Sequence, residues 1–209
     1  MRARKKKWAP AELENNPRIL RDLNEYESLK HHFKNTNPLH LEIGCGKGRF
    51  ITETSIQNPD INYVAIEREA VILAAAARLA QERMAGSLVF ALVDVNHITD
   101  YFKADDISRL YINFCDPWPG LKKRAKRRLT HDNFLLKYEE LKIPEIFFKT
   151  DNRLLFEFSL ESFCRRNWLV ENISLDLHAS NMEGNIKTEY EEKFSPHGPI
   201  YRLEARPRV

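Results

Sequence analysis

The segment Leu39-His40-Leu41-Glu42-Ile43-Gly44-Cys45-Gly46-Lys47-Gly48 decides the fold of this chain. A short apolar run ends in an acid and then in Gly-x-Gly-x-Gly, which predicts a buried strand that opens into a turn. Because Gly44, Gly46 and Gly48 have no Cβ, a positive φ is accessible there and a ligand can lie against the backbone. The helix predicted over 49–57 would direct its first amides toward that ligand.

The spacing of the glycines distinguishes between two kinds of ligand. The dinucleotide fingerprint Gly-x-Gly-x-x-Gly needs a glycine where this chain has Arg49, so a nicotinamide-dependent oxidoreductase is disfavoured. The acid at the strand end, Glu42, disfavours a pyrophosphate and suits a cationic ligand that carries an amino acid. S-adenosylmethionine, with its sulfonium and ammonium groups, fits that description. An ordinary glycine-rich turn without a ligand is the alternative.

Length and charge distribution restrict the class of protein. The 209 residues suit one α/β-sized domain. No apolar segment approaches the roughly 18 residues of a membrane span, and no signal peptide is visible, so we expect a soluble, cytoplasmic protein. The net charge is only +3, but five of the first seven residues and six of the seven in 122–128 are basic. The three cysteines have no paired spacing, which argues against a disulfide framework or a bound metal.

Alternating strand and helix patterns predict an α/β fold. A basic arm over 1–9 and one or two short helices over 10–34 form the predicted N-terminal segment, and 35–209 form a single domain. The predicted strands are 39–43, 62–66, 88–93, 109–114, 145–149, 168–176 and 199–205. The predicted helices are 49–57, 70–84, 96–103, 130–142, 153–166 and 187–194, with a long charged loop over 115–129. This order predicts a mostly parallel seven-stranded sheet with helices on both faces and a ligand at the carboxyl ends of the strands.

Carboxylates follow several of the predicted strands. Glu67, nineteen residues past Gly48, is suited to accept both ribose hydroxyls of a nucleoside, and an ion pair with Arg68 is the alternative. Asp94 would accept a hydrogen bond from an adenine amine or cap the following helix, and both roles can hold together. The motif Asp116-Pro117-Trp118-Pro119 fixes the backbone with two prolines around an aromatic side chain.

Taken together, these motifs resemble the bacterial tRNA (guanine-N7-)-methyltransferases, a family of class I S-adenosylmethionine-dependent methyltransferases with a Rossmann-like fold. The matching stretches are 41–48, Asn113 with 116–119, 126–130, 148–152, and Asn185 with 188–191. The resemblance implies methyl transfer from S-adenosylmethionine to N7 of a guanine in the tRNA variable loop. It implies tRNA and not DNA as the partner, and it leaves monomer and homodimer open.

The resemblance also assigns the site residues. Those for the cofactor are Glu42, Gly44, Gly46, Gly48, Glu67, Asp94 and Asp116, and Asp116 is also the catalytic residue. Those for guanosine or tRNA are Lys122, Lys123, Arg124, Lys126, Arg127, Arg128, Asp151, Thr188, Glu189, Tyr190 and Glu191. The family has a lysine directly after Pro-Trp-Pro, where this chain has Gly120-Leu121, so Lys122 or Lys123 would take that role.

The chemistry of guanine restricts what these residues need to do. N7 carries a lone pair and no proton, so Asp116 is expected to orient the base and stabilise the cationic product rather than act as a general base. One carboxylate matches both donors of the guanine Watson–Crick edge, so Asp151 or Glu191 would select guanine. A solvated helix face is the alternative for Glu189, Glu191 and Glu192. The basic segment 122–128 would follow the phosphates of an RNA.

Two other functions compete with this interpretation. One is a class I methyltransferase that acts on another RNA or on a small molecule. The other is an RNA-binding module that keeps a degenerate cofactor pocket, which the acids at 42, 67, 94 and 116 disfavour.

Overall fold

The computed structural model describes residues 6–120, 122–180 and 182–208, so residues 1–5 of the predicted basic arm lie outside the described residues. A single sheet forms the centre of the fold. Its strands are β1 (Ile19–Leu20), β2 (Leu39–Ile43), β3 (Asn62–Glu67), β4 (Leu88–Leu92), β5 (Arg109–Asn113), β6 (Ile146–Thr150), β7 (Trp168–Ser174) and β8 (Tyr201–Pro207).

Helices connect most of these strands. They are α1 (Ala9–Asn15), α2 (Arg49–Gln57), α3 (Ala70–Glu82), α4 (Ile98–Tyr101), α5 (Lys122–Ala125), α6 (Asp132–Glu140), α7 (Arg153–Arg165) and α8 (Glu189–Phe194). Short 3₁₀ turns lie at 23–25, 29–32, 95–97 and 195–197. In the described part of the chain, no helix has the length and apolar character needed to cross a bilayer.

The sheet order explains where a ligand can bind. The strands lie in the order β1-β4-β3-β2-β5-β6-β8-β7, and only β8 runs antiparallel to its neighbours. The chain leaves β2 toward β3 on one side and later returns to β5 on the other side of β2. The carboxyl end of β2 is therefore the switch point of the sheet, which is where open α/β sheets bind their ligands.

The predicted fold class is confirmed, with one strand more than the sequence predicts. The extra strand is β1, which lies inside the segment 10–34 predicted to be helical. It pairs in parallel with β4. Beside it, Arg18 donates hydrogen bonds to the backbone oxygens of Ala85, Gly86 and Leu88. Two residues are too few to show an alternating pattern, so the sequence gives no sign of this strand. The predicted loop 115–129 likewise contains the four-residue helix α5.

Apolar clusters cover both faces of the sheet. Leu39, Leu41 and Ile43 of β2 belong to one cluster, which includes buried residues of α6 and α7. The other cluster contains buried residues of α2 and α3. Because successive side chains of a strand point to opposite faces, the polar residues His40 and Glu42 face this second side. The fold thereby buries two titratable groups in the middle of the sheet.

Candidate active site

A cavity of about 610 Å³ lies at the carboxyl ends of β2, β3, β4 and β5. Its floor is apolar and includes Ile43, Ile66 and Val93. Its polar lining contains six of the residues predicted from the sequence, namely Gly44, Glu67, Asp94, Asp116, Lys126 and Arg127. The switch point of the sheet therefore brings together residues from four separate stretches of the chain.

The glycine turn after β2 leaves open space on one side and packs closely on the other. Gly44, Gly46 and Gly48 all have positive φ, at 72°, 56° and 82°. A Cβ added at Gly44 or Gly46 would meet nothing within 4 Å, whereas one at Gly48 would lie 2.7 Å from the Cβ of Ala76. Gly44 and Gly46 thus leave a cradle that a ligand can fill, and Gly48 lets α2 approach α3. The predicted contact of Gly48 with the cofactor stays a prediction.

Glu67, at the end of β3, is held by backbone amides. Its Oε1 accepts hydrogen bonds from the amides of Arg68 (2.8 Å) and Glu69 (3.1 Å), and its Oε2 accepts one from Gly46 (3.3 Å). This arrangement orients the carboxylate next to the glycine turn. The guanidinium of Arg68 lies 4.0 Å from Asp116, so the ion pair that we considered for Glu67 is replaced by one with a different acid.

Asp94 caps the 3₁₀ turn that follows β4. Its Oδ1 accepts hydrogen bonds from the backbone amide (2.9 Å) and the side-chain amide (2.8 Å) of Asn96. The backbone hydrogen bond from Asn96 lowers the pKa of Asp94 below its ordinary value. Since Asp94 also lines the cavity, the cap and the predicted adenine contact are compatible.

The loop that carries Asp116 is held in an uncommon backbone conformation. Phe114 and Trp118, on either side of Asp116, have positive φ values of 51° and 43°, which cost about 1–3 kcal/mol each for non-glycine residues. Arg128 donates a hydrogen bond from Nε to the carbonyl of Pro117 (2.9 Å), and its guanidinium lies 4.5 Å from the centre of the Phe158 ring. The side chain of Asp116 remains 68% exposed, so it is accessible to a substrate.

The basic segment divides into two kinds of residue. Arg124, Lys126 and Arg127 are exposed, and the guanidinium of Arg127 lies 4.9 Å from the centre of the Trp118 ring. Arg128 is half-buried and points toward the Asp116 loop. The predicted contacts of Lys122 and Lys123 involve side chains outside the described residues. The segment therefore combines an exposed basic surface with one internal support.

The residues predicted to bind guanosine lie outside the cavity lining, around α8. Thr188 caps this helix, because its Oγ1 accepts a hydrogen bond from the amide of Glu191 (2.9 Å). Tyr190 donates a hydrogen bond to Oδ2 of Asp151 (2.9 Å), and its ring stacks 4.2 Å from that of Phe194. Burial, together with the bond to Asp151, raises the pKa of Tyr190 to about 12. Asp151 and Tyr190 thus form a hydrogen-bonded pair that joins two segments distant in sequence.

Glu42 lies below the surface rather than in the cavity lining. Its Oε1 accepts a hydrogen bond from Asn113 (2.8 Å), whereas its buried Oε2 has no hydrogen-bond partner among the described residues. Burial raises the pKa of Glu42 to about 7. A buried acid with one unused oxygen beside a glycine turn fits a cationic ligand, because such a ligand would stabilise the ionised form.

Sequence reasoning assigned no role to Lys149, which is buried at the end of β6. Its Nζ donates hydrogen bonds to Oε2 of Glu191 (2.7 Å), Oδ1 of Asn185 (3.2 Å) and the carbonyl of Ile186 (3.1 Å). Burial lowers the pKa of Lys149. The available signal was a lysine inside the apolar strand 146–150, because a buried charge requires a partner.

The mostly parallel sheet, the open glycine turn and the acids at its switch point define a class I S-adenosylmethionine-dependent methyltransferase. A family model described as "Putative methyltransferase" matches residues 36–203. An antibiotic-related methyltransferase structure has a TM-score of 0.60 at 14% identity, covering 90% of this chain and 94% of that chain. A 16S rRNA (adenine(1408)-N(1))-methyltransferase from Catenulisporales acidiphilia, in a structure with its cosubstrate S-adenosylmethionine, has a TM-score of 0.57 at 13% identity, covering 91% and 93%. At these identities the likeness supports the fold alone.

Similarity to curated proteins identifies the family. The chain is 48% identical over 216 residues to the tRNA (guanine-N(7)-)-methyltransferase of Clostridioides difficile (strain 630), covering 100% of both chains. It is 46% identical over 214 residues to the protein of that name from Bacillus subtilis (strain 168), again covering 100% of both. The chain belongs to the tRNA (guanine-N(7)-)-methyltransferase family, which confirms the family predicted from the sequence motifs.

Proposed function

We propose that this protein transfers the methyl group of S-adenosylmethionine to N7 of a guanine in tRNA. The observation that carries the proposal is the composition of one cavity, whose lining includes the acids Glu67, Asp94 and Asp116 and the basic residues Lys126 and Arg127. Such a cavity suits a cationic nucleoside next to a polyanion. The names of the relatives that are 46–48% identical support guanine N7 as the acceptor and tRNA as the substrate.

The residues present fit the methyl donor. Glu67 would accept hydrogen bonds from the ribose and Asp94 from the adenine, while the open side of Gly44 and Gly46 leaves room for the amino-acid part. The unused oxygen of Glu42 belongs to a buried carboxyl group, whose ionised form a nearby ammonium or sulfonium group would stabilise. When bound, S-adenosylmethionine supplies an electrophilic methyl group on its sulfur.

The protein has to orient and stabilise rather than move a proton. Guanine N7 has no proton, so the reaction needs no side chain as a base. The exposed carboxylate of Asp116 would hold the guanine in line with the methyl group and so contribute to the positioning that lowers the barrier. The same carboxylate would stabilise the positive charge that develops on the purine as the methyl group is transferred.

The proposed tRNA surface surrounds the cavity. Arg124, Lys126 and Arg127 would contact phosphates, and Asp151 and the segment 188–190 would bind the guanosine. We infer that the partner is tRNA rather than DNA, and a tRNA substrate is consistent with a cytoplasmic protein.

The direct test uses labelled S-adenosylmethionine and an unmodified tRNA transcript. After digestion, mass spectrometry identifies the nucleoside that carries the label, and N7-methylguanosine is the expected product. A transcript with adenosine in place of the variable-loop guanine is the matched control and should stay unlabelled. Label in another nucleoside, or transfer only to free nucleosides or metabolites, would overturn the proposal.

A further inference from the structure

Lys149 and Glu191 form an ion pair in the interior next to the candidate site. Their side chains are 7% and 0% exposed, and Nζ of Lys149 lies 2.7 Å from Oε2 of Glu191. Asn185 joins both partners, since its Oδ1 accepts from Lys149 (3.2 Å) and its Nδ2 donates to Oε1 of Glu191 (2.7 Å). Nε2 of His178 lies 3.1 Å from the same oxygen. Both carboxylate oxygens of Glu191 therefore already have partners.

Because its side chain is buried, Glu191 differs from its exposed neighbour Tyr190. Tyr190 is 41% exposed and donates a hydrogen bond to Asp151, whereas the carboxylate of Glu191 faces the protein interior. For Glu191 to contact a base, it would have to leave a buried cation unpaired, which is costly. Its position suits a support for α8 better than a contact with the substrate.

Helix α8 needs such a support. It has only six residues, and isolated helices of that length are unstable in water. Its N-terminal end is capped by Thr188, and Tyr190 packs against the rings of Phe194 and Phe114, at 4.2 and 5.2 Å between ring centres. The pair with Lys149 connects the middle of the helix to the end of β6, one residue before Thr150 and two before Asp151.

We propose that Lys149 and Glu191 are positioning residues, whose buried ion pair fixes α8 against β6 and so holds Tyr190 and Asp151 in the geometry that receives the guanosine. The inference rests on the proposed function for the identity of that substrate. It assigns Glu191 an indirect role, and it leaves the Watson–Crick edge of guanine to Asp151.

Hydrogen exchange on the free protein tests the positioning without any substrate. In K149M, the amides of 185–194 are expected to exchange at least about tenfold faster than in the wild type, with the central strands unchanged. N185A keeps both charges and removes only the shared hydrogen bonds, so a smaller increase in the same segment is expected even if K149M does not fold. E157Q, which breaks the exposed pair with Arg153 on α7, is the matched control. Exchange in 185–194 that is unchanged in both K149M and N185A would overturn the proposal.

Kinetics with tRNA distinguish a support from a substrate contact. K149M should lower kcat/KM for tRNA by about 100-fold, the size expected for a displaced binding group. In K149M/E191M both members of the ion pair are absent, so this double variant should regain both slow exchange and most of kcat/KM. If Glu191 instead contacts guanine, the double variant will remain as impaired as E191M, and the proposal is then wrong.

The two proposals fail in different ways. If the wild-type protein transfers no labelled methyl group to a guanine in tRNA, the proposed function is overturned. The hydrogen-exchange experiment would still test the role of the ion pair in that case. Conversely, normal exchange in 185–194 of K149M and N185A together with efficient methylation would overturn the positioning role and leave the proposed function intact.

Discussion

At the scale of the single residue, the carboxylates of the candidate site differ in what holds them. Glu42 is buried and accepts a hydrogen bond from Asn113, and Glu67 accepts hydrogen bonds from three backbone amides. Among the described residues, Asp116 faces only the guanidinium of Arg68, 4.0 Å away. A carboxylate that is already hydrogen-bonded is rigid and suits ligand binding, whereas an exposed one can form a new contact with a substrate. Asp116 is therefore the acid best suited to touch the reacting base.

Replacement of Asp116 tests this assignment. We expect D116A to lower kcat by at least about 100-fold, because a group that stabilises developing charge contributes on that scale. The Kd for tRNA, measured by fluorescence anisotropy, should change less than twofold, since the phosphates bind elsewhere. D105N, which alters an exposed acid paired with Lys142, is the control. A large loss of tRNA affinity in D116A would contradict the assigned role.

Arg128 has a structural role that its neighbours lack. R128Q should lower kcat, because Arg128 supports the carbonyls of the 117–118 loop beside Asp116. Its effect on tRNA affinity should be smaller than that of R127Q, whose guanidinium is exposed. Single-turnover rates and binding titrations of both variants separate the two effects. Equal losses of affinity with unchanged rates would mean that Arg128 binds RNA directly.

At the scale of the element, the sequence predicts the long segments that have a clear apolar period. It does not predict the short elements or the contacts between residues far apart in the chain. The strand 39–43 and the helix 49–57 occur as predicted, because each has a clear apolar pattern between turn residues. The helix predicted to end at 84 ends at Glu82, since Met84 adopts a positive φ of 50°. Contacts such as Lys149 with Glu191 join residues 42 positions apart. No local pattern encodes such a pairing, so the interior support of the site requires a structure.

The basic segment provides a prediction for an element. Each phosphate contact contributes about 0.7–0.9 to the slope of log K against log salt concentration. R124Q/K126Q should therefore reduce the slope for tRNA binding by about 1.5, because two exposed charges are removed. K142Q, a surface change at a lysine paired with Asp105, should leave the slope unchanged. An unaltered slope in R124Q/K126Q would mean that the RNA binds to another face.

At the scale of the whole molecule, two buried titratable groups on β2, His40 and Glu42, have opposite effects on the free energy of unfolding as the pH changes. Burial lowers the pKa of His40 from 6.5 to about 4, so the stability linked to His40 is complete above pH 6.5 and is lost as the pH falls toward 4. Burial raises the pKa of Glu42 from 4.5 to about 7, so the stability linked to Glu42 is complete below pH 4.5 and is lost as the pH rises through 7. Between pH 4.5 and 6.5 the two effects largely cancel in the wild type.

A neutral substitute for Glu42 should reveal this cancellation. The free energy of unfolding of E42Q minus that of the wild type should increase by about 3 kcal/mol from pH 4.5 to pH 7, since in this range the unfolded wild-type chain releases the Glu42 proton and the folded wild type retains it. Urea unfolding at several pH values measures both proteins without ligand, and the subtraction removes the contributions of all shared groups, including His40. E157Q, which removes an exposed acid instead of the buried one, is the matched control. A difference for E42Q that is constant with pH would mean that Glu42 stays ionised inside the folded protein.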